Sequence, residues 1–271
     1  MIRFLILAGY FELTMYLQLS GKLNQYINLH YSYLAYISMF LSFVLALVQL
    51  IIWVKQMKIH SHLSGFWAKV ASIFLLCIPL FVGLFFPIVT LDSQTVSAKG
   101  YHFPVAAGSS KEIQQDEGTT TQYLKPDTSS YFTKSAYESE MKQAAKKYVD
   151  KKVIQVTTEN YMEVMEVIYD YPDQFAGKTI ELTGFVYNDP NNKDSQFLFR
   201  FGIIHCIADS GVYGLLTTGA PQHFENNTWI HAKGTLSIEY HKQLKQSLPV
   251  LHITDCQTIT QPDNPYVYRV F

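Results

Sequence analysis

The chain has 271 residues and a formal net charge of −1, with 16% charged and 48% hydrophobic residues. A chain so close to neutral lacks the basic footprint of a nucleic-acid-binding protein. Its length allows one or two domains. The apolar residues are unevenly distributed, because residues 1–91 are nearly all apolar, whereas residues 92–271 resemble a secreted domain with a polar lead-in.

Three apolar segments in residues 1–91 are predicted to be transmembrane helices, at about residues 2–19, 34–54 and 70–90. The second and third have close to the ~20 residues that cross a hydrocarbon core. The first is shorter and has the position of a signal peptide, but no cleavage site of small residues follows it. It contains Glu12, and an ionisable residue within a span indicates a functional role or, alternatively, a position near one end, where the side chain snorkels.

Basic residues predict the orientation of these helices. Arg3 lies at the start of the first helix and three lysines lie in residues 55–69, whereas the loop after the first helix has only Lys22. The positive-inside rule therefore places the N-terminus and residues 55–69 in the cytoplasm. Three spans then place residues 92–271 outside the cell.

Residues 92–152 are predicted to form a polar linker with an amphipathic helix near residues 133–149. One face of this helix carries tyrosine, methionine and alanine, and the other carries lysines. The lysine face is interpreted either as a surface for the membrane or a partner, or as an ordinary solvated face.

Residues 153–271 have mainly β patterning. A short strand begins at Val153, and a helix follows that is capped by Asn160, with Glu163 at the capping-box position. Alternating apolar patterns then predict five strands from Lys178 onwards.

These five strands are predicted to close into a small barrel. Gly184 and Gly234 lie inside strand patterns, where glycine marks a bend, a bulge or a close backbone approach. The five-stranded OB-fold is the best match for such a set. The chain is thus expected to be an α+β membrane protein, with three N-terminal helices followed by an extracytoplasmic, mainly-β, OB-like domain.

A candidate metal site follows from the hairpin at residues 197–217, whose first strand ends at His205, Cys206 and Asp209. Imidazole and thiolate are good ligands for zinc or copper. Because neighbours on a strand point to opposite faces, His205 and Cys206 could share one metal only at a bulge or a strand end. Further ligands would come from elsewhere in the β domain. The candidates are His223, His231, His252 and Cys256. The alternatives are a Cys206–Cys256 disulfide and simple core packing.

Several motifs carry a resemblance to a known family. They are the strand GKTIELTGFV, the run from Arg200 to Asp209, the ending QPDNPYVY, and the loops SGKLNQYIN and TLDSQTVSAKG. Together they resemble the YcgQ-like family of bacterial membrane proteins over the whole chain. In that family two adjacent cysteines usually stand where this chain has His205 and Cys206, and this departure argues against a vicinal disulfide.

The resemblance implies an accessory subunit of a two-component membrane permease complex, not an enzyme, working in the lipid bilayer with a larger polytopic permease-like partner. We expect a multi-pass protein of the cell membrane that takes part in transport of a small solute, an amino acid or a metal ion. The alternative is a membrane-tethered extracytoplasmic metal-binding or sensing module that acts without a permease. A nucleic-acid-binding barrel is least favoured, because no basic aromatic stripe is present.

Histidines suggest that this transport is linked to external acidity. The imidazole changes charge near a pKa of ~6.5, so a domain rich in histidine gains positive charge as its surroundings acidify. Six histidines lie in the part predicted to be outside. They are His102, His205, His223, His231, His241 and His252.

Overall fold

A computed structural model describes residues 1–57, 65–101, 134–190, 196–241 and 246–269. Residues 102–133, which include His102 and most of the predicted polar linker, lie outside these described ranges. The chain divides into two compact units, Met1–Thr90 and Leu91–Phe271.

The first unit consists of three long helices, each apolar enough to cross a membrane. They are α1 (Ile2–Leu19), α2 (Ser32–Val54) and α3 (Phe66–Phe85). The prediction of three apolar N-terminal helices is therefore confirmed. Helix α3 ends earlier than predicted, because Phe86 precedes Pro87 and a residue before proline is disfavoured in the helical region. Phe86 accordingly has an extended backbone, with ψ of 136°.

Helix α1 packs against both α2 and α3. Its approach to α3 is close, because a Cβ atom added at Gly83 would lie 2.8 Å from a side-chain carbon of Leu13. The hydroxyl of Tyr10 donates a hydrogen bond of 2.9 Å to the carbonyl of Leu76 on α3. Small residues and interhelical hydrogen bonds of this kind hold membrane helices together where the hydrophobic effect does not.

The second unit combines helices with a β-sheet. Its helices, within the described residues, are α4 (Ser93–Lys99), α5 (Lys134–Val149), α6 (Tyr161–Asp170) and α7 (Pro172–Phe175). Its strands there are β1 (Val153–Gln155), β2 (Thr179–Asn188), β3 (Gln196–Ile203), β4 (Gly211–Thr218), β5 (Trp229–His241), β6 (Gln246–Thr258) and β7 (Val267–Tyr268).

Five of these strands pair in a ring, in the order β2, β5, β6, β4, β3 and back to β2. The pairs are antiparallel except for β4 with β6, which is parallel. Strands β1 and β7 add to the outside of β2 and β3 as parallel neighbours. The mainly-β domain is thus confirmed, as is the hairpin of β3 and β4, whereas the OB-like barrel stays a prediction.

Both glycines singled out in the strand patterns lie where backbones approach closely. The pairing of β5 with β6 shifts register between Lys233 and Gly234. A Cβ atom at Gly234 would lie 2.3 Å from the carbonyl oxygen of His252, and one at Gly184 would lie 2.6 Å from that of Phe199. The predicted irregularity at Gly234 is confirmed.

Strand β3 is buried on both faces, and the two faces contribute to separate cores. Leu198 packs with strand residues and with the apolar sides of α5 and α6 in the first core. Phe197 and Phe199, on the opposite face, form an aromatic second core with Tyr187. Val96 and Tyr101 of the predicted polar linker, and Leu91 just before it, also pack in this second core.

The predicted capping box at the start of α6 is wrong. Asn160 occupies the N-cap position, but its side chain makes no capping bond to the helix. Its carbonyl oxygen instead accepts a hydrogen bond of 2.7 Å from the Thr157 amide. Glu163 bonds outward to Lys147 and Tyr148 of α5, which offer a charged donor and a hydroxyl. A local bond of Asn160 and tertiary bonds of Glu163 have therefore replaced the predicted capping box.

Candidate functional site

The turn between β3 and β4 brings together the three residues predicted as metal ligands. The carboxylate of Asp209 accepts hydrogen bonds from the backbone amides of His205 (3.0 Å) and Cys206 (3.0 Å). It also lies 2.7 Å from Nδ1 of His205. The Cys206 sulfur accepts a hydrogen bond from the Asp209 amide, which closes a reciprocal cap on the 3-10 helix Ile207–Asp209.

This geometry gives the three residues different roles. Asp209 fixes the imidazole ring of His205 from the Nδ1 side, and a carboxylate in that position orients a histidine so that Nε2 takes a metal. His205 and Asp209 retain 44% and 34% side-chain exposure, so the pair is accessible. In this arrangement Asp209 is an orienting residue, and His205 and Cys206 are the candidate ligands.

The remaining predicted ligands have other surroundings. His231 contacts Thr183 at 3.0 Å, and His252 contacts Thr218 at 2.7 Å and Glu239 at 2.6 Å. His223 is exposed. Across the part of the chain that the structure describes, no three His, Cys, Asp or Glu side chains are arranged to hold a metal ion. Metal binding therefore stays a prediction.

All three cysteines are free thiols, so the structure contains no Cys206–Cys256 disulfide. Cys256 is half-buried on β6 and packs against the first core. Burial raises the pKa of its thiol. Its surroundings are those of a packed apolar side chain.

Arg200 organises the C-terminal end of the chain. Its side chain is 3% exposed and donates hydrogen bonds to the carbonyls of Asn264 (3.1 Å), Pro265 (3.2 Å) and Tyr266 (3.0 Å). It also donates to the hydroxyl of Thr158 at 3.0 Å. Burial lowers the pKa of the guanidinium, which nevertheless remains charged. A buried cation thus holds the segment that precedes β7.

A cleft of about 310 Å³, lined by several charged residues, lies between α5, α6 and the C-terminal residues Tyr268 and Arg269. Glu166 and Arg269 pair at its base, with side-chain exposures of 5% and 11%. At its rim Glu163 accepts hydrogen bonds from Lys147 (2.7 Å) and from the Tyr148 hydroxyl (2.6 Å). The other lining residues are Glu140, Met141, Glu159, Asn160, Met162 and Tyr268.

Glu166 is the residue of the cleft with the most altered chemistry. Burial raises its pKa from 4.5 to about 7, and the attraction of the Arg269 guanidinium opposes that rise only in part. Its carboxyl group therefore gains or loses a proton near neutrality. Sequence reasoning missed this group, because nothing in the apolar face of α6 marks Glu166 as inward-facing or pairs it with a residue near the C-terminus.

The apolar helices and the mainly-β unit define a membrane protein with a folded domain attached to its spans. The DUF1980 N-terminal domain matches residues 2–102, and the DUF1980 C-terminal domain matches residues 131–269. The chain belongs to this family, which is the YcgQ-like family that its motifs resemble, and that prediction is confirmed.

Two relatives match the chain over its full length and theirs. The chain is 67% identical over 271 residues to a protein of Streptococcus mutans serotype c named "Putative two-component membrane permease complex subunit". It is 40% identical over 291 residues to "UPF0703 protein YcgQ" of Bacillus subtilis. Both alignments cover 100% of each chain.

Proposed function

We propose that this chain is a non-enzymatic accessory subunit of a two-component membrane permease complex, with a polytopic partner that supplies the transport path. The observation that carries the proposal is the 67% identity, over the full length of both chains, to a protein with that name. Such identity over two domains supports a shared assembly role more strongly than a shared fold would alone.

The three-helix unit supports dependence on a partner. Within its described residues, Ile6 and Ala46 are the buried hydrophobic side chains, and large apolar groups are exposed along α2 and α3. The three helices thus expose far more apolar surface than they bury against each other. Lipid covers part of the exposed surface, and the partner covers the rest.

The second unit acts on the outer side of the membrane as a cap, receptor or gate. The distribution of basic residues supports that side. We interpret the ring of strands as an OB-like barrel, which the closed order of five strands and the parallel pair of β4 with β6 support. The transported solute is an amino acid or a metal ion. Transport is linked to acidity, which the raised pKa of Glu166 supports.

A membrane-tethered metal-binding or sensing module is the second candidate. The accessible pair of His205 and Asp209, next to the free thiol of Cys206, favours it. In that role the chain would act without a permease.

Co-purification separates the two candidates. The chain is tagged at its own chromosomal locus, extracted in mild detergent and analysed by native mass spectrometry. A stoichiometric polytopic protein supports the permease subunit, and repeated isolation of the chain alone overturns it. Uptake of labelled amino acids and of zinc by a deletion strain, at neutral and acidic pH, then tests the solute. An equal effect of the deletion at both pH values would overturn the link to acidity.

A further inference from the structure

Glu12 lies at mid-depth in the first span. It is ten residues after Ile2 and seven before Leu19 in α1. At a rise of about 1.5 Å per residue, these distances are about 15 Å and about 10 Å along the helix axis. A glutamate side chain is too short to reach either end of α1 from there. Its carboxyl group therefore lies within the ~30 Å hydrocarbon core.

The side chain points away from the other two helices. Glu12 is exposed, and among the residues that the structure describes it has no hydrogen bond or ion pair. On other sides of α1, Ile6 is buried and Leu13 contacts Gly83 of α3. The three spans carry Arg3 and Lys69 as their basic residues, each in the first turn of its helix.

Glu12 belongs to a continuous exposed stripe, here called the Glu12 face. Leu5 (52% exposed), Glu12 and Leu19 (81% exposed) recur at intervals of seven residues, about two helical turns, so they share one side of α1. Met15 and Tyr16, which are 37% and 48% exposed, flank Glu12 on the same side. This is the side of α1 that α2 and α3 leave open.

We propose that the Glu12 face docks against a transmembrane helix of the permease partner, and that a basic or hydrogen-bond-donating side chain of that helix pairs with Glu12. This inference rests on the proposed function. A carboxyl group left in hydrocarbon is costly, and an intramembrane ionisable residue is retained where another helix satisfies it. The apolar positions of the stripe supply the packing, and Glu12 fixes register and depth.

Charge complementarity selects this occupant over the other two. Lipid tails offer no donor. The spans of a second copy carry no basic residue at mid-depth, so that copy could meet Glu12 only with a hydroxyl or a protonated carboxyl group, which are weaker partners than a cation. A transmembrane helix of the permease partner, with a basic or other donor side chain at the depth of Glu12, can pair with this carboxyl group.

Site-specific photo-cross-linking in native membranes tests the contact. A photoreactive residue is placed at Leu5, Tyr16 or Leu19 on the Glu12 face, and at Phe40 on the exposed side of α2 as a control. Adducts are identified by mass spectrometry. We expect the partner permease to be captured from the Glu12 face more strongly than from Phe40. Adducts with lipid alone, or with a second copy, would overturn the inference.

Variants of Glu12 provide the second readout, measured as partner co-purified per molecule of membrane-inserted subunit. We expect Glu12→Leu to lower this ratio about three- to tenfold, and Glu12→Gln to lower it less, because an amide still accepts a hydrogen bond. Phe40→Leu serves as the control and leaves it unchanged. If the wild type co-purifies with a partner and Glu12→Leu co-purifies with just as much of it, the docking inference is wrong, whereas the proposed function stands. If the wild type brings down no partner, the proposed function fails with it.

Discussion

Glu166 of α6 and Arg269, the residue after β7, form a buried ion pair, with Oε1 of Glu166 3.2 Å from Nη1 of Arg269. The pair joins the middle of the second unit to its C-terminal end. Burial dominates the chemistry of the carboxyl group even with the guanidinium beside it, so its pKa rises to about 7. The free energy of unfolding of the second unit therefore depends on the protonation of Glu166.

The first prediction concerns that pH dependence. The folded state raises the pKa of Glu166 from 4.5 to about 7, so it holds the proton more tightly than the unfolded state. The resulting stability is fully present below about pH 4.5 and is lost as the pH rises through about 7. We expect the free energy of unfolding of the full chain in detergent to fall as the pH rises over this window. Glu166→Gln should remove the contribution of Glu166 to that fall.

The difference between the unfolding profiles of the wild type and Glu166→Gln isolates the contribution of Glu166 from that of every other ionisable group. Urea unfolding followed by circular dichroism at several pH values provides the measurement. Glu225→Gln, at an exposed position outside the cleft, is the matched control and retains the wild-type profile. Identical profiles for wild type and Glu166→Gln would contradict the assignment.

The second prediction concerns Arg200. Arg200→Met leaves the carbonyls of Asn264, Pro265 and Tyr266 without their buried donor, and we expect a loss of about 2–4 kcal/mol in unfolding free energy. Arg200→Lys recovers little of it, because an ammonium group lacks the planar fork of the guanidinium. The measurement is urea unfolding of the full chain.

A surface cation is the matched control for Arg200. Lys233 has 43% side-chain exposure and pairs with Glu181, so Lys233→Met should cost less than about 1 kcal/mol. Equal losses for Arg200→Met and Lys233→Met would show that the buried guanidinium has no special role. Limited proteolysis adds a local readout, since Arg200→Met should speed cleavage near the C-terminus.

The third prediction concerns metal. We expect the full chain, purified without chelator, to retain near-stoichiometric zinc or copper, and His205→Ala with Cys206→Ser to abolish it. Asp209→Asn should weaken binding by about 10- to 100-fold, as expected for a residue that orients a ligand. His30→Ala, at an exposed histidine outside the second unit, is the control. Elemental analysis that finds no transition metal in the wild type would exclude the site.

The fourth prediction concerns topology. A cysteine at Ser109 should react with an impermeant reagent added to intact cells, and one at Ser61 should react only after permeabilisation. Because Cys77, Cys206 and Cys256 are free thiols, the experiment needs a background in which all three are replaced. The reverse labelling pattern would invalidate the orientation inferred from the basic residues.

Local sequence patterns predicted those elements of the fold that depend on the spacing of apolar residues. The three apolar runs predicted α1, α2 and α3, and alternation around Phe199 predicted the hairpin of β3 and β4. Strand β7 was missed, because it has two residues and Arg200, far away in the sequence, holds the segment before it. The bonds from Lys147 and Tyr148 of α5 to Glu163 show how tertiary contacts override a capping signature.

The two candidate sites, the turn between β3 and β4 and the cleft beside α6, also differ in how well the sequence predicted them. His205, Cys206 and Asp209 are close in sequence and form one turn, so the sequence placed them together. The cleft at Glu166 and Arg269 was not anticipated, because the two residues are 103 positions apart and neither belongs to a recognisable motif. Such a pair is determined by how α6 and the C-terminal end fold over the same strands.

The packing of residues 91–101 makes this stretch an integral part of the second unit. The Leu91 amide donates to the Tyr266 hydroxyl at 2.9 Å, and the Tyr101 hydroxyl donates to Asp189 at 2.8 Å. A soluble fragment that starts at residue 131, where the C-terminal family match begins, would expose Phe197 and its aromatic neighbours to water. Such a fragment should self-associate, and a synthetic peptide of residues 91–101 should restore monomers by complementation.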